Sequence, residues 1–211
     1  MFEDIFVKIC GVKSIEELKV VEKYADATGV VVECKSKRRV ELDRAKEIID
    51  NSEIPVFAVS TVKTFEEWEK ILEKTNAKFV QIHSDINAEV VDKIKETGVY
   101  VMKAFKVPKN SLNPEKDAEL LINKIRSFKV DRVLLDTGCG SGELHDLRVS
   151  KIVSSKLPII LAGGLTPENV EDIIKTVKPA GVDVSSGVEK DGIKNESLIK
   201  KFVEQVRRSV L

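Results

Sequence analysis

Histidine, methionine, tyrosine and tryptophan are scarce in this chain of 211 residues: two His, two Met, two Tyr and one Trp. Cysteine is scarce too, at positions 10, 34 and 139. The three are odd in number, widely spaced and without a CxxC pair, which excludes a disulfide framework and fits a reducing compartment. Cys10, Cys34, Cys139 and His83 lack the close ligand pair of a zinc site, so no metal is expected. No apolar run approaches membrane-spanning length. The opening MFEDIFVKIC lacks the basic region and long apolar stretch of a secretory signal, and a cytoplasmic protein is expected. Net charge is absent as well: 35 Lys+Arg balance 35 Asp+Glu, leaving no long-range field to draw the molecule to nucleic acid or an anionic membrane. Any anion must be held locally. There is no GxxxxGK[ST], and the glycines of DTGCGSGE, at 138, 140 and 142, do not make GxGxxG; nucleotide phosphoryl transfer and dinucleotide binding lose their usual signatures. Two Met and two Gln amid abundant Lys and Glu match heat-adapted compositions.

What is present is an alternation. Eight short β-rich runs recur: 5–10, 29–33, 54–59, 78–83, 99–104, 132–137, 157–162 and 180–185. Between them apolar residues fall at helical spacing, as in Phe65, Trp68, Ile71, Leu72 and Leu198, Ile199, Phe202, Val203, Val206. Ser14 with Glu17 and Thr64 with Glu67 predict capping boxes, and Pro114 and Pro167 predict first helical turns. HDLRVSKIVSSK, short and rich in β-branched residues, fits either a helix or a single turn. Strands alternating with helices require a parallel sheet. Dividing 211 residues by eight leaves about 26 per unit, enough for a strand, a helix and short loops. The predicted fold is α/β, a compact (βα)8 TIM barrel forming a single domain over 1–211.

Barrel sites gather where the strands end. Those positions hold Cys10, Glu33, Cys34, Gln81, His83, Lys103, Asp136, Gly163, Gly164, Asp183, Ser185, Ser186 and Gly187. Period-two alternation turns Lys8, Cys10 and Asp136 into the barrel and Val7, Ile9 and Leu135 toward the helices. AGGLTPEN (162–169) and DVSSGVE (183–189) offer backbone amides without bulky side chains, and on adjacent strands they suit a phosphate. Cys10 and Asp136 could flank a small substrate as base and acid, with Lys8 lowering the thiol pKa.

VKICGVKS (7–14), SKRRV (36–40), QIHS (81–84), MKAFKV (102–107), LLDTGCGSG (134–142), LAGGLTPENV (161–170) and GVDVSSGVE (181–189) resemble, in order and through nearly the whole chain, the motifs of the phosphoribosylanthranilate isomerase family. The resemblance implies an Amadori rearrangement in tryptophan biosynthesis, a phosphorylated small-molecule substrate, and neither cofactor nor metal. It implies Cys10 as general base and Asp136 as general acid. Arg38 would pair with the anthranilate carboxylate, Arg39 being its neighbour, and Gly163, Gly164, Ser185, Ser186 and Gly187 would hold the phosphate. Gln81 and His83 fit support or packing at least as well as direct substrate contact, and Lys103 and Asp183 fit a buried polar network inside the barrel. Family members include monomers and homodimers, and both remain open. The chain departs from its relatives at Lys37, where a proline is common, at the extra thiol of Cys34, and in a shorter loop after strand six. Two other readings fit the phosphate loops. One is a thiamine-phosphate synthase-like transferase, although the strand ends lack an acidic cluster for Mg²⁺. The other is a non-catalytic phosphometabolite-binding protein.

Overall fold

The computed structural model describes residues 5–138 and 144–209. Cys139 and the glycines at 140 and 142 lie outside the described residues. Eight parallel strands close into a barrel in chain order: β1 (Phe6–Cys10), β2 (Ala27–Val31), β3 (Val56–Ser60), β4 (Phe79–Ile82), β5 (Tyr100–Lys106), β6 (Arg132–Asp136), β7 (Ile159–Ala162) and β8 (Gly181–Val184), with β8 pairing back to β1. The helices between them are α1 (Ile15–Val21), α2 (Leu42–Asp50), α3 (Phe65–Thr75), α4 (Ala88–Glu96), α5 (Pro114–Arg126), α6 (Leu147–Ser154), α7 (Val170–Val177) and α8 (Glu196–Arg208). Before α8 the chain makes a small antiparallel hairpin, β9 (Glu189–Lys190) and β10 (Ile193–Lys194). The fold is the expected (βα)8 barrel. Among the described residues no helix is long and apolar enough to cross a membrane.

The pleat sorts side chains as the alternation predicts. Val7, Ile9, Val80, Ile82, Val101, Phe105, Leu135, Leu161 and Val182 pack outward against the helices. Cys10, Phe57, Val59, Met102, Ala104, Leu134, Ile160 and Ala162 fill the interior. At the amino-terminal end Phe57, Phe79 and Tyr100 form an aromatic floor with centroids 5.4–6.2 Å apart. Arg132 completes it, stacked 4.4 Å from the Phe6 ring and donating from Nε to the Tyr100 hydroxyl at 3.0 Å.

Several local expectations are corrected. β2 spans 27–31 rather than 29–33, because the ladder pairs Thr28–Val31 with Val56–Val59 and Glu33 then turns left-handed at φ 45°. Ser14 caps α1 through the Glu17 amide, but the Glu17 carboxylate accepts from the Lys13 and Lys194 amides instead of closing a box. The Thr64–Glu67 box is complete. Pro114 opens α5 as predicted, whereas Pro167 sits in a turn and α7 begins only at Val170. The segment after β6 does form a helix, α6, capped by Asp146.

Candidate active site

Cys10 ends β1 with its side chain among the interior residues. Beneath it Lys8, wholly buried, donates to both carboxylate oxygens of Asp183 at 3.0 and 3.1 Å. Burial works against the charge of Lys8, yet Asp183 and Cys10 raise its pKa above the ordinary lysine value. The thiol does not follow the expectation from sequence. Burial pushes Cys10 above the usual thiol range; Lys8 and Lys194 pull it down, but burial together with Asp183 prevails. Desolvation inside the barrel outweighs the neighbouring cation. Room for this cluster comes from Gly29 on β2, where an added Cβ would lie 3.0 Å from Cys10 Sγ and 3.3 Å from Lys8 Nζ. Gly29→Ala should therefore displace the sulfur by a few tenths of an ångström and lower kcat on the order of tenfold with the melting temperature little changed. Steady-state kinetics beside a thermal melt checks this, and an unchanged kcat would remove Gly29 from the site.

Asp136 ends β6, facing inward, with only 7% of its surface exposed. Its Oδ2 lies 3.0 Å from His83 Nε2 and accepts from the Gly138 amide at 3.2 Å. Burial would raise this carboxyl, but the hydrogen bond and charge of His83, with the Gly138 and Thr137 amides, hold it below the ordinary range. His83 is placed by its own amide, which donates to the Ser60 carbonyl and carries the β3–β4 ladder one residue past β4. The support reading of His83 thus has a definite partner. Gln81, one turn of the pleat below, is buried, and its side-chain oxygen has no hydrogen-bond partner among the described residues.

His83, Asp136, Gly138, Lys103 and Lys106 line a cavity of about 370 Å³ over the ends of β4, β5 and β6. Cys10 and the two glycine loops are not among its lining residues. Lys103 is a correction: it points outward from the barrel wall, 5.0 Å from the Phe105 and Phe128 ring centroids, and donates to the Ser84 carbonyl at 2.8 Å. Burial there lowers it to about 8. Asp183 does lie in an interior network, as expected. Among the described residues no three His, Cys, Asp or Glu side chains are grouped as metal ligands would be.

The loops after β7 and β8 interlock. Gly163 and Gly164 adopt φ of 91° and 63°, a region that favours glycine. An added Cβ on Gly187 would meet the Leu165 carbonyl oxygen at 1.9 Å, so only glycine lets these loops approach so closely. Ser185 and Gly187 are partly exposed and Ser186 is exposed, within the single 3₁₀ turn Ser186–Val188 and the residue before it. The Ser185 hydroxyl donates to the Cys10 carbonyl at 2.8 Å, tying this loop to the end of β1.

Arg38, after β2, crosses the mouth to the same corner. Its stem lies over Gly11 (φ 88°), where a Cβ would meet Arg38 Cδ at 2.4 Å and Ser185 Oγ at 3.1 Å. Its Nε and Nη2 donate to the two oxygens of Glu189 at 2.7 and 2.9 Å. Glu189 also accepts from Lys194 Nζ at 2.7 Å. Burial opposes the Glu189 charge, but Arg38 and Lys194 hold its pKa down at about 2. Arg39 turns outward to Glu41. Sequence reasoning missed Glu189 and Lys194 as members of this corner. Glu189 closes the GVDVSSGVE motif, whereas Lys194 gave no signal.

The arrangement offers a thiol and a carboxyl facing inward, a guanidinium at the mouth and two amide-rich loops: groups for acid–base chemistry on an anionic substrate. Comparison with known proteins agrees. A model of the family N-(5′phosphoribosyl)anthranilate (PRA) isomerase matches residues 7–205. The N-(5′-phosphoribosyl)anthranilate isomerase of Pyrococcus abyssi is 58% identical over 207 residues, 98% of this chain and 100% of that protein. The solved structure of the Pyrococcus furiosus isomerase is 56% identical with a TM-score of 0.92, covering 97% of this chain and 99% of that one. A 33% identical isomerase, solved in complex with reduced 1-(o-carboxyphenylamino)-1-deoxyribulose 5-phosphate, superposes with a TM-score of 0.78 over 97% of this chain and 99% of its own.

Proposed function

From the premise that this chain belongs to the N-(5′-phosphoribosyl)anthranilate isomerase family and converts that substrate to 1-(2-carboxyphenylamino)-1-deoxyribulose 5-phosphate in tryptophan biosynthesis, we propose that Cys10 and Asp136 carry the proton transfers. Asp136 gives its proton to the furanose oxygen as the C1–O bond breaks and the anthranilate nitrogen lone pair forms the C=N bond of a Schiff base. Cys10, as thiolate, removes the C2 proton, and the electron pair of that C–H bond neutralises the iminium to give an enolamine. Tautomerisation of the enolamine yields the aminoketone. Arg38 receives the anthranilate carboxylate, for which a guanidinium fork is suited. Gly163, Gly164, Ser185, Ser186 and Gly187 receive the phosphate through backbone amides and the serine hydroxyls. His83 orients the Asp136 carboxyl. The observation that carries the reading is the inward placement of Cys10 and Asp136 at the ends of β1 and β6, beneath loops whose geometry demands glycine.

The resting protonation states sharpen the mechanism. With Cys10 raised and Asp136 lowered, the resting pair is thiol and carboxylate, while the reaction starts from thiolate and acid. When the base has the higher pKa, the reactive form is a constant small fraction between the two values and declines outside both. Hence kcat/KM on freshly prepared phosphoribosylanthranilate should be flat from about pH 5 to about pH 8, falling in acid only below the ordinary aspartate range and in base only above the ordinary thiol range. A fluorescence assay of substrate loss across pH measures this. Absence of turnover would favour the non-catalytic binding-protein reading instead, and a sharp optimum near neutrality would overturn the acid–base assignment.

A further inference from the structure

We propose that Glu189 and Lys194, on the β9–β10 hairpin, are positioning residues that lock Arg38 and Ser185 into one unit, so that the carboxylate and phosphate ends of the substrate are received at a fixed spacing. The inference rests on the roles of Arg38 and Ser185 proposed above. Arg38 reaches the mouth on a flexible stem, and Glu189 removes that freedom by taking Nε and one Nη2 hydrogen in a two-point pair. Of five guanidinium hydrogens, two are committed and three remain to meet an incoming carboxylate.

Lys194 fixes Glu189 in turn. Its side chain is wholly buried, and its ammonium donates to Glu189 Oε1 at 2.7 Å, the Ser185 carbonyl at 3.2 Å and the Ser185 hydroxyl at 3.3 Å. A lysine has three N–H donors, so none is left for substrate, and Lys194 acts through its neighbours. The hairpin is itself pinned to α1 and to the β1–α1 loop: the Lys194 amide donates to Glu17 Oε1 at 3.0 Å, and Lys13 Nζ donates to the Gly192 carbonyl at 2.6 Å. Two cations and one anion leave this corner one positive charge beside the phosphate loop. That local charge supplies what the neutral surface lacks.

The test is a double-variant cycle in the full chain, reading kcat and KM for phosphoribosylanthranilate and the inhibition constant of inorganic phosphate. Glu189→Gln should raise KM about tenfold with kcat within about twofold and phosphate inhibition changed less than about twofold, since the amide oxygen can still accept from Lys194 and Arg38 Nε while the amide nitrogen loses the contact to Arg38 Nη2. In an Arg38→Met background the same change should raise KM no further, because Glu189 acts through Arg38. Lys194→Met should weaken both substrate and inorganic phosphate by about tenfold, since it releases Ser185 as well. Multiplying effects in the double variant, or an unmoved KM in Glu189→Gln, would overturn the inference while leaving the proposed mechanism standing. An unmoved KM in Arg38→Met would overturn the Arg38 reading and this inference with it. Should Glu189→Gln fail to fold, Glu189→Asp keeps the charge and withdraws the carboxylate by one methylene; the rise in KM is again expected, and a wild-type KM overturns the inference.

Discussion

Asp136→Asn should fold as the wild type does and lose about 10³-fold in kcat, with Cys10→Ser losing as much or more. Asparagine keeps the shape of the carboxyl and still accepts from the Gly138 amide that now bonds Asp136 Oδ2. It has no acidic proton for the ring oxygen. Serine at position 10 fills nearly the space of the thiol, but an alcohol in a site where burial already resists the anion would almost never be ionised. Because each change is close to isosteric, melting curves should overlay the wild type, and the loss then belongs to chemistry. Undiminished turnover in either variant would sink the role given to that residue. A fall in kcat/KM confined to KM would instead make the residue a binding group.

The second large effect is on stability. Asp183→Asn leaves the Lys8 ammonium inside the barrel without its counter-charge, and breaking a buried pair from one side costs about 3–5 kcal/mol. For a domain of this size that is a fall in melting temperature of roughly 6–20 °C. Lys8 is raised in the folded state, so its contribution is complete below the ordinary lysine pKa and is lost as pH rises through the higher folded value. The gap between wild type and variant should therefore persist across neutral pH, narrow in strong alkali as Lys8 loses its proton, and narrow in acid as Asp183, which burial raises above the ordinary aspartate value, takes one up. A double change to apolar residues, Lys8→Met with Asp183→Leu, should recover much of the loss, since an apolar replacement of a buried pair is often neutral. Calorimetry of the wild type and the two variants decides it. If Asp183→Asn melts with the wild type, the pair contributes nothing to the barrel.

The parts of this molecule that were legible in the sequence share a physical cause. Period-two alternation is a local property of a strand, so the inward turn of Lys8, Cys10 and Asp136 followed from β1 and β6 alone. Eight units of strand and helix fixed the barrel because a parallel neighbour needs a crossover. What escaped depends on contacts far apart in the chain. The β2 boundary is set by its ladder to β3, and the run of valines at 30–32 pointed two residues too late. Pro167 looked like a first-turn proline because local chemistry cannot say that the turn closes on Asn169 before α7 starts. Lys8 was expected to depress the Cys10 thiol; a cation two residues away is visible in sequence, whereas desolvation by the barrel wall is not. Glu189 meets Arg38 across 151 positions, and no pattern announces such a pair.

The aromatic floor has a consequence for how the enzyme exchanges its small molecules. Phe57, Phe79 and Tyr100, plugged by Arg132 on Phe6, fill the interior at the amino-terminal end, and the Lys8–Asp183 pair sits above them. Among the described residues the barrel is thus a cup rather than a tube. Substrate and product share one mouth, so a product molecule that lingers there blocks the next turnover, and each cycle must end by emptying the cup through the opening by which it was filled.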